Sequence, residues 1–136
     1  MRKIIFRGKD PVGDWMFGNL ITTSYEKDGQ IKHLYSIQCI NAKSYCPGID
    51  GETIGQYTGM EDRKGDMIFE GDLFKIGAEE NIFEVRFCEG CFLAYENCKQ
   101  VGILGELPTG ICLVIGNIYD NPELLKSEQD VQREKN

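Results

Sequence analysis

The chain has 136 residues, with 15 Lys/Arg against 22 Asp/Glu and a formal net charge of −7. A hydrophobic share of 41% and a charged share of 27% exclude a wholly disordered chain. The length suits one domain, or one small domain with an elaborated arm, that needs no disulfide staples. Sixteen glycines, about 12% against a usual share of roughly 7%, favour short strands and tight turns over long helices.

Residues 3–7 (KIIFR) predict a first strand, closed by Gly8 and the Asp10-Pro11 turn. Residues 15–21 (WMFGNLI) predict a second, and Lys27-Asp28-Gly29 then turns the chain. Ile31, His33, Tyr35 and Ile37 share one face of a third strand, and residues 41–51 read as a loop around Cys46-Pro47-Gly48. Residues 53–58 predict a strand, followed by a polar turn over 61–65 in which Gly65 takes a positive φ. Glu70-Gly71-Asp72 leads into the strand 73–76, with Asp72 bonding nearby backbone N–H groups.

Residues 82–87 place Phe83, Val85 and Phe87 on one face and return through Glu89-Gly90 into 91–95. Glutamate at positive φ is costly, so a three-residue loop with Gly90 in the left-handed position is expected. That register turns Cys91, Leu93 and Tyr95 inward with the phenylalanines and leaves Cys88 alone at the tip. Residues 111–115 (ICLVI) predict a short buried strand. Asn121-Pro122-Glu123 opens a short C-terminal helix, docked by Leu124 and Leu125, and the polar remainder frays. The expected fold is mainly β: a β-rich N-terminal arm over 1–51, an SH3-like small barrel over 52–125, and a polar tail over 126–136.

Charge divides unevenly along this chain. Residues 1–51 hold seven Lys/Arg and five Asp/Glu, a net of +2, whereas residues 52–125 hold five and fourteen, a net of −9. An acidic body repels phosphate, so no nucleic-acid partner is expected, and a basic protein face or another copy of the chain is favoured. The apolar stretch Ile4-Ile5-Phe6 is too short for a secretory signal, and no run is long enough to span a bilayer. The expectation is a cytoplasmic protein without membrane attachment, its six cysteines reduced.

Covalent catalysis lacks its parts. The one histidine, His33, lies mid-strand with no patterned nucleophile or acid, and neither a G-x-S-x-G elbow nor a phosphate-cradling glycine loop occurs. No cofactor is expected. The carboxylates Glu61, Asp62, Asp66, Glu70 and Asp72 depart from the alternating spacing of a Ca²⁺ loop and suit turn chemistry better. Cys88-Glu89-Gly90-Cys91 is half of a zinc ribbon without its second half, so Cys88 and Cys91 are the metal candidates, and Cys98, Cys39, Cys46 or His33 would have to complete four ligands. Trp15, Met16 and Tyr57 are candidate partner anchors, because exposed aromatic residues are enriched at interface hot spots. Phe17 and one of Trp15 or Tyr57 are expected inside.

Residues 52–65 (ETIGQYTGMEDRKG) followed by 68–73 (IFEGDL) closely resemble the central signature of the YopX family, encoded by phages, prophages and related mobile elements of bacteria. Residues 5–9 (IFRGK), 15–20 (WMFGNL) and 114–125 (VIGNIYDNPELL) fit in the same order, so the resemblance spans 1–125. It implies an SH3-like barrel in the second half and a tendency to self-associate, and it implies no reaction. Cys88 and Cys91 depart from the family pattern. The leading expectation is a non-enzymatic, oligomeric protein-interaction module of a phage or mobile element. The alternatives are an acidic decoy for a basic nucleic-acid-binding host protein, and a metal or thiol module built on Cys88 and Cys91.

Overall fold

The computed structural model describes residues 1–41 and 44–125. Among these residues the chain forms eleven strands: β1 (Phe6–Lys9), β2 (Trp15–Lys27), β3 (Gln30–Cys39), β4 (Tyr45–Pro47), β5 (Gly55–Glu61), β6 (Met67–Phe69), β7 (Asp72–Ile76), β8 (Phe83–Cys88), β9 (Cys91–Glu96), β10 (Lys99–Ile103) and β11 (Cys112–Asn117). Helical structure in the described residues is confined to single 3₁₀ turns. The mainly β expectation holds. The chain divides within β5, between Tyr57 and Thr58.

In the first unit the strand order is β4-β3-β2-β1, with the start of β5 beside β1. β2 and β3 make a long hairpin closed by Asp28-Gly29, both at positive φ (52° and 76°), with Lys27 opposite Gln30. Two left-handed residues impose the twist that the flanking strands need, and an Asp-Gly pair adopts them at little cost. The core of this unit is small: Ile37, Ile49 and Tyr57 are buried. Gly8 lets Ile49 approach so closely that a β-carbon there would sit 2.4 Å from its Cγ2. Asp50 holds the chain before β5. Its Oδ1 accepts from the Glu52 N–H, and its carbonyl accepts from the Thr53 hydroxyl at 2.7 Å.

In the second unit, β7 to β10 form a meander and β11 returns beside β7, in the order β10-β9-β8-β7-β11. β5 continues into this unit beside β6. The core gathers Ile68, Phe74, Phe83, Val85, Ala94, Leu104 and Cys112, with Met60, Phe92, Leu107 and Val114 packed around it. Phe74 and Phe83 stack at 5.5 Å. The backbone between β6 and β7 turns at Gly71 (φ 86°), whose N–H donates to the Val85 carbonyl at 2.8 Å. Asp72 accepts from the Phe69 N–H at 2.7 Å, as its place before the strand requires. The described strands form an open order in which β10 and β11 are edges, so the pairings do not close a barrel.

Several expectations change in detail. Residues 41–51 contain the short strand β4, and β10 follows a turn at Asn97-Cys98 that lacks the usual glycine, both residues at positive φ (50° and 64°). The expected C-terminal helix begins as a 3₁₀ turn over Pro122–Leu125, and residues 126–136, with the expected tail, lie outside the described residues. Local polar bonds favour the tighter turn: Asn117 Oδ1 accepts from the Tyr119 and Asp120 N–H groups, and Asn121 Oδ1 accepts from the Asn117 N–H. Leu124 is half-buried, whereas Leu125 is exposed and does not dock.

Candidate functional site

In the β5–β6 turn the Asp62 carboxylate is occupied by the backbone. Asp62 Oδ1 accepts from the Lys64 and Asp66 N–H groups at 2.9 and 3.0 Å, and its Oδ2 accepts from the Val114 N–H at 3.1 Å. Burial alone would raise this carboxyl, but the bonds from Val114, Asp66 and Lys64, with the Lys64 charge, hold it below its ordinary value. Asp62 therefore ties the turn to β11, and Gly65 takes the expected positive φ (81°). Among the described residues, no group of three or more His, Cys, Asp or Glu is placed to hold a metal ion. His33 lies exposed on β3, where Ser24 Oγ bonds its Nδ1 at 3.0 Å and Tyr35 stacks on it at 6.4 Å.

The β8–β9 hairpin departs from the expected register. Its turn has two residues, Glu89 (φ 52°) and Gly90 (φ 80°), and Cys88 pairs directly with Cys91. Val85 opposite Ala94 and Phe87 opposite Phe92 therefore share the core face with Phe83, the latter pair meeting edge to face at 5.1 Å. Cys91, Leu93 and Tyr95 take the other face, and Cys91 is exposed rather than buried. The alternation argument misled because Leu93 and Ala94 are adjacent, point to opposite faces, and are both buried. A strand buried on both faces carries no polar side to set its register. Ordering the core outweighs the roughly 1–2 kcal/mol that a left-handed glutamate costs.

That reversal assembles a polar face on β8 and β9. Glu84, only 7% exposed, accepts from Arg86 Nε and Nη2 at 2.8 and 3.2 Å, and the Arg86 guanidinium lies 4.5 Å over the Tyr95 ring. Arg86 Nη2 also reaches Cys98 Sγ at 3.9 Å. Partial burial and a hydrogen bond to Cys88 push the Tyr95 phenol above its ordinary value. Cys88, Cys91 and Cys98 are exposed thiols. Cys112, by contrast, is fully buried, donates to the Pro108 carbonyl at 3.4 Å, and is pushed up by burial and the Asp62 charge. The sequence offered Cys98 only as a possible fourth-ligand partner of Cys88 and Cys91 and did not place Arg86 beside it, since the strand after Asn97-Cys98 lacks a clean alternation.

The aromatic candidates separate. Tyr57 is buried at 7% exposure, Trp15 and Met16 are half-buried, and Phe17, expected inside, is exposed. Arg7 and Lys9, neighbours of Trp15 across the β1–β2 ladder, place their cations 4.6 and 5.3 Å over its ring. Phe17 pairs with Arg7 on that same face. Trp15 and Phe17 thus share one face of the β1–β2 ladder, whereas Tyr57 is buried.

The β2–β3 hairpin exposes apolar side chains on both faces, Tyr25 and Leu34 on one and Ile31 on the other. β1 pairs only with Trp15 to Gly18 of β2, and β4 only with Ser36 to Gln38 of β3. Residues 22–34 extend past both neighbours as a two-stranded ribbon, every residue of it exposed. Tyr25, Ile31 and Leu34 are 48%, 71% and 41% exposed.

Comparison with known proteins matches the same architecture. Two solved structures resemble it: protein EF1440 of Enterococcus faecalis, at 22% identity and a TM-score of 0.56, and protein yopX of Bacillus subtilis, at 19% and 0.54. Each match covers 93% of this chain, with 100% of the first protein and 98% of the second. No curated protein matches. The family model for the YopX protein matches residues 5–126, and the chain belongs to the YopX family.

Proposed function

We propose that this protein is a non-enzymatic, oligomeric protein-interaction module of a phage or mobile element. The β2–β3 ribbon is the observation that carries the reading. A lone two-stranded hairpin is marginal in water, yet this one extends uncovered with Tyr25, Ile31 and Leu34 exposed. Its charges, Glu26, Asp28, Lys27 and Lys32, cancel, whereas the whole chain carries −7. A second copy of the ribbon is the partner least opposed by charge, and edge pairing about a two-fold axis covers both copies at once. Light scattering at high micromolar concentration should return a dimer or larger, and Ile31→Lys with Leu34→Lys should return the 15.4 kDa monomer. A wild-type monomer would sink the proposal.

The second unit reads as an SH3-like module: β11 returns beside β7 after a 3₁₀ turn over Thr109–Ile111, which supports that reading. A partner other than the chain itself should be basic at its contact face, bound more slowly as salt rises. Neither duplex DNA nor single-stranded RNA should bind, and a salt-sensitive submicromolar gel shift would overturn that. No helix of the described residues is long and apolar enough to cross a membrane.

A further inference from the structure

The hairpin tip carries a second feature, independent of assembly. We propose that Cys88 and Cys91 form a reversible disulfide by exchange with a small-molecule disulfide such as oxidised glutathione. The pair faces across a two-residue turn, and both thiols are exposed. Residues flanking such a turn are a hydrogen-bonded pair with Cα atoms about 5.5 Å apart, inside the range of roughly 4.4–6.8 Å that a disulfide spans. Arg86 and Tyr95 lie on the same face of the hairpin as Cys88 and Cys91.

Cys88 thiolate attacks one sulfur of the disulfide, forming a mixed disulfide and releasing one thiolate, which takes up a proton. Cys91 thiolate then attacks the Cys88 sulfur, closes the intramolecular bond and expels the second small thiol. Two protein thiols are oxidised and one disulfide is reduced to two thiols, so the exchange balances. The β-carbons of a hydrogen-bonded pair do not lean toward each other, so the bond is strained and readily reduced: a switch rather than a staple. Cys98 stays outside it, held in the next turn beside Arg86.

The test equilibrates the folded protein in buffers of reduced and oxidised glutathione, traps thiols by alkylation and maps peptides by mass. Oxidising buffers should leave Cys88 and Cys91 together unalkylated, with a loss of two hydrogens, while Cys98 is alkylated. Excess reduced glutathione should restore both. Cys91→Ser should leave a persistent glutathione adduct on Cys88, and Cys98→Ser should change nothing. Separate adducts on Cys88 and Cys91, a bond to Cys98, or full alkylation throughout would each overturn the proposal.

Discussion

Two hairpins of this molecule share one turn geometry and differ in everything laid against it. β2–β3 closes through Asp28-Gly29 and β8–β9 through Glu89-Gly90, each pair left-handed and each placing its flanking residues directly opposite. Beyond the turn, β2–β3 runs as an uncovered ribbon, whereas β8–β9 lies between β7 and β10 and buries Phe83, Val85 and Ala94. An Asp-Gly turn suffices to set the ribbon's register. In β8–β9 the core sets the register, and the turn accepts a glutamate in a disfavoured conformation as a consequence.

The contrast is sharpest at the core. Phe74→Ala, which empties the centre of the second unit against Phe83, should cost about 3–5 kcal/mol in a denaturant titration. A cost as small as that of a ribbon substitution would show that the two regions are equally loosely packed. Gly71→Val comes next, at about 1–3 kcal/mol, because a branched side chain cannot adopt φ 86° without strain. An unchanged melting midpoint would mean that the β6–β7 turn relaxes freely.

Asp62→Ala should cost about 1–3 kcal/mol, since it leaves the Lys64, Asp66 and Val114 N–H groups without their acceptor. The carboxyl is held below its unfolded value of about 3.9, so its contribution is complete above that pH and is lost as pH falls through the lower folded value. Asp62→Asn should therefore narrow the stability gap to wild type only in acid, and a gap constant down to strongly acidic pH would contradict the assignment. The smallest effect belongs to the ribbon. Gly29→Ala meets no neighbouring atom, so it should cost only about 1–2 kcal/mol of backbone strain. Hydrogen exchange should quicken in residues 22–34 while the second unit's amides keep their protection. Equal acceleration in both regions would mean that they unfold together.

The sequence by itself determined most of the local grammar. Asp28-Gly29, Gly65, Gly71 and Asp72 were legible because a left-handed backbone or an uncapped N–H demands those residue types within a few positions. The family was legible because residues 52–65 and 68–73 resemble its central signature, and the family model matches residues 5–126. Tertiary structure alone decided three things. It chose the face of β9, because Leu93 and Ala94 are both apolar and both buried, leaving no contrast for the sequence to express. It placed Tyr57 inside and Phe17 outside, since two aromatic residues on short strands are equivalent until the neighbours of each face are assembled. And it brought Arg86, Tyr95, Cys88 and Cys98 together, since cross-strand proximity follows from register, and register was the quantity that the local pattern left undetermined.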